Sequence, residues 1–169
     1  MTKTVKNMLN EAFEKVPMVE PAEAIKWIDD PETVFVDVRD KNSVINSGKI
    51  KGAIHAERGL LEFYADQEHD MGIDEISPEK KVILYCNAGG QAALAGKTLL
   101  EMGYKEVLNL GSFNNWEKFG GPTEWITQIC NQFIIDYIYD HNESRLFVKV
   151  ILIRSFGSIF VGTRLWFVF

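Results

Sequence analysis

Cysteine is scarce in this chain: Cys86 and Cys130 are the two thiols among 169 residues. Two thiols cannot make a disulfide scaffold, so a reducing compartment such as the cytoplasm is expected. Basic residues are also short. Eighteen Lys and Arg face twenty-four Asp and Glu, a formal charge of −6. A phosphate-backbone binder normally carries a basic face, so no nucleic-acid partner is expected. The basic start Met1-Thr2-Lys3-Thr4-Val5-Lys6 is not followed by an apolar stretch, because Asn7, Asn10, Glu11, Glu14 and Lys15 interrupt it. A secretory signal is therefore not expected. Internal repeats at solenoid periods are missing as well. What remains is ordinary: 46% hydrophobic and 25% charged residues. That usage fits one soluble domain able to bury a core without staples.

The averages hide two regimes. Residues 1–124 carry −7, whereas 125–169 carry +1 and hold 10 of the 20 aromatics. The domain is expected to span 1–124, with an N-terminal helix over 1–17 appended. Residues 125–169 form an atypical aromatic tail.

Within the body, Val5, Met8, Leu9, Ala12, Phe13 and Val16 recur at helical spacing and predict an amphipathic helix that covers a core. Pro21 opens a second helix, expected to run to Ile28. Val34–Val38 is a β-branched run typical of a buried parallel strand. Ile50–Ala56 reads as a weaker strand and Gly59–Tyr64 as a short helix. Lys81–Tyr85 is the clearest strand, with Cys86 at its end. Gln91–Met102 reads as a helix capped by Gly103, and Val107–Leu110 as another strand. Strands alternating with helices predict an α/β fold with a mostly parallel central sheet flanked by helices. Ligands of such sheets bind beyond the carboxyl ends of strands, where Asp37, Arg39 and Cys86 fall.

The segment Cys86-Asn87-Ala88-Gly89-Gly90-Gln91 carries the most chemistry. Adjacent glycines let the backbone curl around the sulfur with φ > 0. Successive N–H groups in such a curl make an anion-binding nest, and a helix N-terminus adds partial positive charge. That surrounding favours a thiolate. The same pattern also fits a buried, inert cysteine before a glycine turn. Spacing excludes several rivals. Redox C-x-x-C needs cysteine where Gly89 stands. A phosphatase loop C-x5-R needs arginine where Ala92 stands. A P-loop lysine and hydroxyl pair after the glycines is missing. Two cysteines and three scattered histidines do not form a zinc site.

Several blocks, in order, resemble the rhodanese family of sulfurtransferases between about Met18 and Glu124. They are Asp37-Val38-Arg39, Gly48 to Ala56, the Val82–Cys86 strand with its loop, Gly96 to Tyr104, Val107 to Gly111 with Trp116, and Gly120-Gly121-Pro122. His55 to Phe63 resembles a stretch of a single-domain bacterial subgroup. The resemblance implies a rhodanese-like α/β fold with Cys86 as nucleophile and Asn87, Ala88, Gly89, Gly90 and Gln91 around the substrate anion. It implies transfer of a sulfane sulfur from thiosulfate or a related anion to cyanide or a thiol, with no metal and no organic cofactor. One position departs from the family: Gln91 stands where the active loop usually ends in arginine. Glutamine supplies a neutral amide in place of a charged fork of donors. Arg58 is a candidate to supply that charge from a facing loop.

The remaining polar residues are expected to serve structure. Asp37 and Arg39 form a structural pair, His55 satisfies the core, and Trp116 and Phe119 pack. The acidic run from Glu62 to Glu75, with His69 inside it, is a solvated loop, and Cys130 fills an apolar role. In the tail, Trp125–Tyr139 has helical spacing and His141–Ser144 reads as a turn. Leu146–Phe169 is apolar but broken by Lys149, Arg154 and Arg164. A β-rich segment, a membrane-surface helix, a partner-binding segment and an unnatural C-terminus all fit it. The oligomeric state is not fixed by sequence.

Overall fold

The computed structural model describes residues 2–125 and two further segments, 134–140 and 145–151. The chain divides into two units, Met1–Ile126 and Thr127–Phe169. The first unit runs α1 (Val5–Lys15), α2 (Pro21–Ala24), β1 (Thr33–Asp37), α3 (Lys41–Ser47), β2 (Lys49–Ile50), β3 (Ile54–His55) and α4 (Leu61–Ala65). It continues through β4 (Lys81–Cys86), α5 (Gly90–Glu101), β5 (Glu106–Ser112), α6 (Phe113–Lys118) and β6 (Thr123–Glu124).

Four strands make one parallel sheet in the order β3-β1-β4-β5. The α/β expectation therefore holds. Side chains alternate across a strand, and each face finds its own helices. Val34, Val36, Val82, Leu84 and Cys86 pack with Leu61 of α4 and with Ala92, Ala95 and Leu99 of α5. Phe35, Ile83 and Tyr85 pack on the other face with Ala24 of α2 and with Phe113 and Trp116 of α6. Cys86 thus projects to the α5 face, and its neighbour Tyr85 to the α6 face.

The appended helix α1 contributes to this core. Thr4 caps it by accepting from the Asn7 N–H at 3.2 Å. Ala12 and Val16 are fully buried. A Cβ on Gly96 would stand 2.8 Å from Val16 Cγ1, so only glycine lets α5 approach so closely. Lys97 joins the two helices by an ion pair with Glu11 at 3.1 Å.

Three expectations for this unit need correction. The helix begun at Pro21 ends as α-helix at Ala24 and tightens into a 3₁₀ turn over Ile25–Trp27. The strand expected over Ile50–Ala56 is two: β2 pairs antiparallel with β6, and β3 pairs with β1. Gly52, at φ 73°, makes the turn between them. Phe119 does not pack. It is 56% exposed, because the short α6 turns Phe113 and Trp116 inward and ends before it. Helix α3 went unforeseen, although Asp40 caps it by accepting from the Ser43 N–H at 2.9 Å.

Gly103 ends α5 as expected, at φ 94°. The Gly103 N–H donates to the Leu100 carbonyl and the Tyr104 N–H to the Leu99 carbonyl, which satisfies two carbonyls of the last turn. This turn buries Tyr104, whose hydroxyl oxygen lies within donating distance of the carbonyl oxygens of Ala65 at 2.7 Å and Ile76 at 2.6 Å. Burial, helped by the charge of Asp66, pushes its phenol up from 10 to about 12. The neutral form is the folded one, so this contribution is intact below about pH 10 and lost as pH rises toward about 12. Tyr104→Phe should cost about 1–2 kcal/mol at neutral pH, since two buried carbonyls lose a donor. It should also flatten part of the stability loss above pH 10, read as urea midpoints across that range. Burial raises Tyr85 as well, so some alkaline sensitivity remains in the variant.

In the second unit, β7 (Ile134–Asp140) and β8 (Arg145–Ile151) pair antiparallel, from Ile134 opposite Ile151 to Asp140 opposite Arg145. The helix expected to reach Tyr139 is therefore wrong over 134–139. The run Ile134-Ile135-Asp136-Tyr137-Ile138-Tyr139 is β-branched and aromatic, which suits a strand better than a helix. The strand at 145–151 agrees with the β-rich alternative for the start of the last segment. Residues 126–133 of the Trp125–Tyr139 helix expectation, Cys130 among them, the His141–Ser144 turn and residues 152–169 lie outside the described residues. No helix among the described residues is long and apolar enough to cross a membrane.

Candidate active site

Cys86 closes the central strand β4 and is 2% exposed. The chain then leaves the sheet, curls through Asn87, Ala88 and Gly89, and enters α5 at Gly90. Gly89 has φ 84° and ψ −18°, the left-handed conformation that an L side chain resists. In that conformation its N–H points back at the thiol and donates to Cys86 Sγ at 3.1 Å. A Cβ on Gly89 would also stand 3.1 Å from Gly111 Cα. Glycine is favoured there by its backbone angle, and a Cβ would crowd the Gly111 backbone as well.

The first turn of α5 adds N–H groups without helical acceptors, and the helix dipole favours negative charge at this end. No Lys, Arg or His lies in the sequence between Cys86 and Gly96. The loop can therefore stabilise an anion on or beside the sulfur through backbone donors, with no formal charge of its own. Asn87, Ala88 and Gln91 are exposed and form the rim. Gly90 is half-buried, with Leu9 of α1 close over it.

Arg58 is directed elsewhere. Its guanidinium donates to Glu62 Oε1 at 2.8 Å and to Thr98 Oγ1 at 3.1 Å. Thr98 lies eight residues beyond Gly90, about 12 Å along the helix at 1.5 Å per residue. Of the predicted site residues, Gly89 touches the sulfur, whereas Arg58 is engaged on the flank of α5.

Asp37 and Arg39 form a buried pair at the end of β1, with exposures of 0% and 1%. Arg39 Nε donates to both Asp37 oxygens, at 2.9 and 3.1 Å, and Nη2 donates to Oδ2 at 2.6 Å. The remaining guanidinium donors reach Ser47 Oγ at 2.8 Å and the Gly48 carbonyl at 2.6 Å, and Phe113 lies beneath at 4.2 Å. Arg39 is held above its ordinary range. Burial, the largest influence, opposes this, but the Asp37 hydrogen bonds and charge outweigh it. His55 Nε2 lies 2.9 Å from the Arg39 carbonyl, so its proton is used within the fold. In the acidic run, the Met71 N–H donates to His69 Nδ1 at 3.1 Å, within an exposed turn.

The residue that sequence reasoning missed is Asn109. It is 0% exposed in β5 and bonds the loop directly. Its Nδ2 donates to the Gly89 carbonyl at 3.0 Å, and its Oδ1 accepts from the Gly111 N–H at 2.8 Å. One signal was available: a lone amide inside the apolar run Val107-Leu108-Asn109-Leu110.

The rhodanese-like domain model matches residues 20–119. The chain belongs to that family. It is 30% identical over 96 residues to the thiosulfate sulfurtransferase GlpE of Coxiella burnetii, across 56% of this chain and 81% of that one. Among solved structures it resembles the polysulfide-sulfur transferase homodimer of Wolinella succinogenes, at 32% identity and a TM-score of 0.59, over 75% of this chain and 91% of that one. A Rhodopseudomonas palustris protein of unknown function, described as a possible tyrosine phosphatase, is 35% identical with a TM-score of 0.67, over 73% and 96%. Two of these three carry sulfur-transfer names, and a sulfurtransferase-family role follows for this chain. The matched span begins after α1, although that helix buries Ala12 and Val16 in the same core.

Proposed function

We propose that this protein moves a sulfane sulfur by double displacement through a persulfide on Cys86. The carrying observation is the Gly89 N–H aimed at Cys86 Sγ at 3.1 Å, at the end of a buried strand and the start of α5. The Cys86 thiolate attacks the outer sulfur of thiosulfate or a related donor. The new S–S bond forms as the donor's own S–S bond breaks, and sulfite leaves with that electron pair. Cyanide or a thiolate then attacks the outer persulfide sulfur and returns Cys86 as thiolate. This is covalent nucleophilic catalysis, and the reaction needs neither a metal nor an organic cofactor. Loop N–H groups stabilise the bound anion and the terminal persulfide charge. Among the phosphatase features, arginine at position 92 is lacking, and Ala92 is buried.

The test is mass spectrometry of the intact protein after incubation with thiosulfate or polysulfide. One sulfur atom gained at Cys86, released as thiocyanate by cyanide, supports the reading. No adduct with any of several donors would sink it.

Gln91 favours a second reading, a sulfur-carrier or binding module with weak catalysis. A charged hydrogen bond is worth about 1.5–3 kcal/mol, so its absence lowers affinity for an oxyanion donor. Gln91→Arg should lower the KM for thiosulfate about ten- to a hundredfold, measured by thiocyanate formation. An unchanged KM would mean that position 91 does not face the donor.

A further inference from the structure

We infer that Asn109 is a positioning residue for the reactive loop: its buried carboxamide holds Gly89 in the left-handed conformation that aims its N–H at Cys86 Sγ. The chain of bonds is continuous. Asn109 Nδ2 holds the Gly89 carbonyl at 3.0 Å, and the Gly89 N–H holds the sulfur at 3.1 Å. The Ala93 N–H shares that carbonyl at 2.9 Å, which ties the same peptide to the first turn of α5.

Asn109 is itself fixed from three sides. Its carbonyl accepts from the Val19 N–H at 3.0 Å, and its N–H donates to the Pro17 carbonyl at 2.9 Å. The register between β4 and β5 then slips: Leu84 faces Asn109, but Tyr85 faces Gly111. Leu110 is the extra residue of a bulge. The bulge turns the Gly111 N–H onto Asn109 Oδ1 at 2.8 Å, and Gly111 takes φ 83°. With its oxygen so occupied, the carboxamide can present only its NH₂ to Gly89. Sheet bulges re-aim side chains in this way.

The consequence for turnover rests on the sulfur-transfer reading, but the effect on the thiol does not. The experiment therefore reads the thiol. In the full-length protein carrying Cys130→Ser, Cys86 is the sole cysteine. Iodoacetamide alkylation is followed against pH in that background, and again with Asn109→Leu or Asn109→Asp. The plateau rate at high pH reports access to the sulfur. The midpoint reports how well the thiolate is stabilised. Both variants should move the midpoint to higher pH, by about one unit, with about a tenfold slower reaction at pH 7. A folded variant with an altered plateau and an unmoved midpoint would reduce Asn109 to a packing residue and overturn the inference. If neither variant folds, the parent protein decides. Its ¹⁵N-labelled Asn109 side-chain amide should titrate with the alkylation midpoint, and a flat resonance overturns the coupling. A moved midpoint in a protein that takes no sulfur from any donor would sink the proposed reaction and leave this inference standing.

Discussion

Cys86→Ser should abolish persulfide formation and reduce thiosulfate-to-cyanide transfer to background. Removal of a catalytic nucleophile costs on the order of a millionfold in turnover where it has been measured. The reason is chemical and not structural. A serine hydroxyl is close to isosteric and can still accept from the Gly89 N–H, which now reaches the sulfur at 3.1 Å. Yet it does not ionise near neutral pH, and without a sulfur of its own it cannot form the S–S bond of a persulfide or leave as a thiolate when the acceptor attacks. The side chain is small and the sheet around it is intact, so the variant should keep its circular dichroism and its urea midpoint to within about 1 kcal/mol. The measurements are intact mass after thiosulfate and thiocyanate release after cyanide. Persistent adduct or turnover in a folded Cys86→Ser protein would remove this loop from the reaction.

The largest effect on stability should come from Asp37→Ala. The substitution leaves the Arg39 guanidinium in the interior without its carboxylate, and both residues are almost wholly inaccessible to water. Breaking such a pair from one side costs about 3–5 kcal/mol. Typical domains have only about 5–15 kcal/mol of stability in total, so the urea midpoint should fall steeply. Asp37→Leu combined with Arg39→Met should cost less than the sum of the single changes, because no charge is then stranded. Rescue should be partial, since the Ser47 hydroxyl and the Gly48 carbonyl lose their Arg39 donors. Additive losses in that cycle would show that the pair is not coupled. The two predictions separate cleanly. Asp37 pairs with Tyr85 across the sheet, and Tyr85 packs on the α6 face, opposite the face of Cys86. Alkylation of Cys86 in folded Asp37→Ala protein should therefore follow the parent's pH profile.

Much of this arrangement was legible in the chain. The β-branched runs at Val34–Val38 and Val82–Leu84 can be buried on both faces only between helices, so a parallel sheet followed from them. The residues placing Cys86 at a strand end before a glycine curl were legible for the same reason, since Gly89 and Gly90 permit what other residues forbid. Short-range signals failed where a partner decided. Ile50–Ala56 carries strand-like residues throughout, but Thr123–Glu124 recruits its start into a separate ladder. Ile134–Tyr139 has helical spacing, yet the strand Ile134–Asp140, rich in β-branched and aromatic residues, pairs with Arg145–Ile151. Phe119 and Trp116 looked alike as packing aromatics, and only the end of α6 separates them. Arg58 lay within a suggestive block, but Glu62 one turn later and Thr98 on α5 claim its guanidinium.

The sequence by itself determined the α/β architecture and the place of Cys86 at a strand end before a glycine turn. The β-branched runs of β1 and β4 and the glycines after Cys86 are local signals, and tertiary contacts left them intact. It also determined what the loop does not contain, since Gln91 stands where the family's active loop usually ends in arginine and Ala92 where a phosphatase loop needs one. Tertiary structure alone decided which groups serve the sulfur. The Asn109 carboxamide comes from a strand twenty residues further on than the Gly89 carbonyl it holds. A hydrogen bond between residues so far apart depends on strand register and one bulge, neither of which is written in the spacing of either segment.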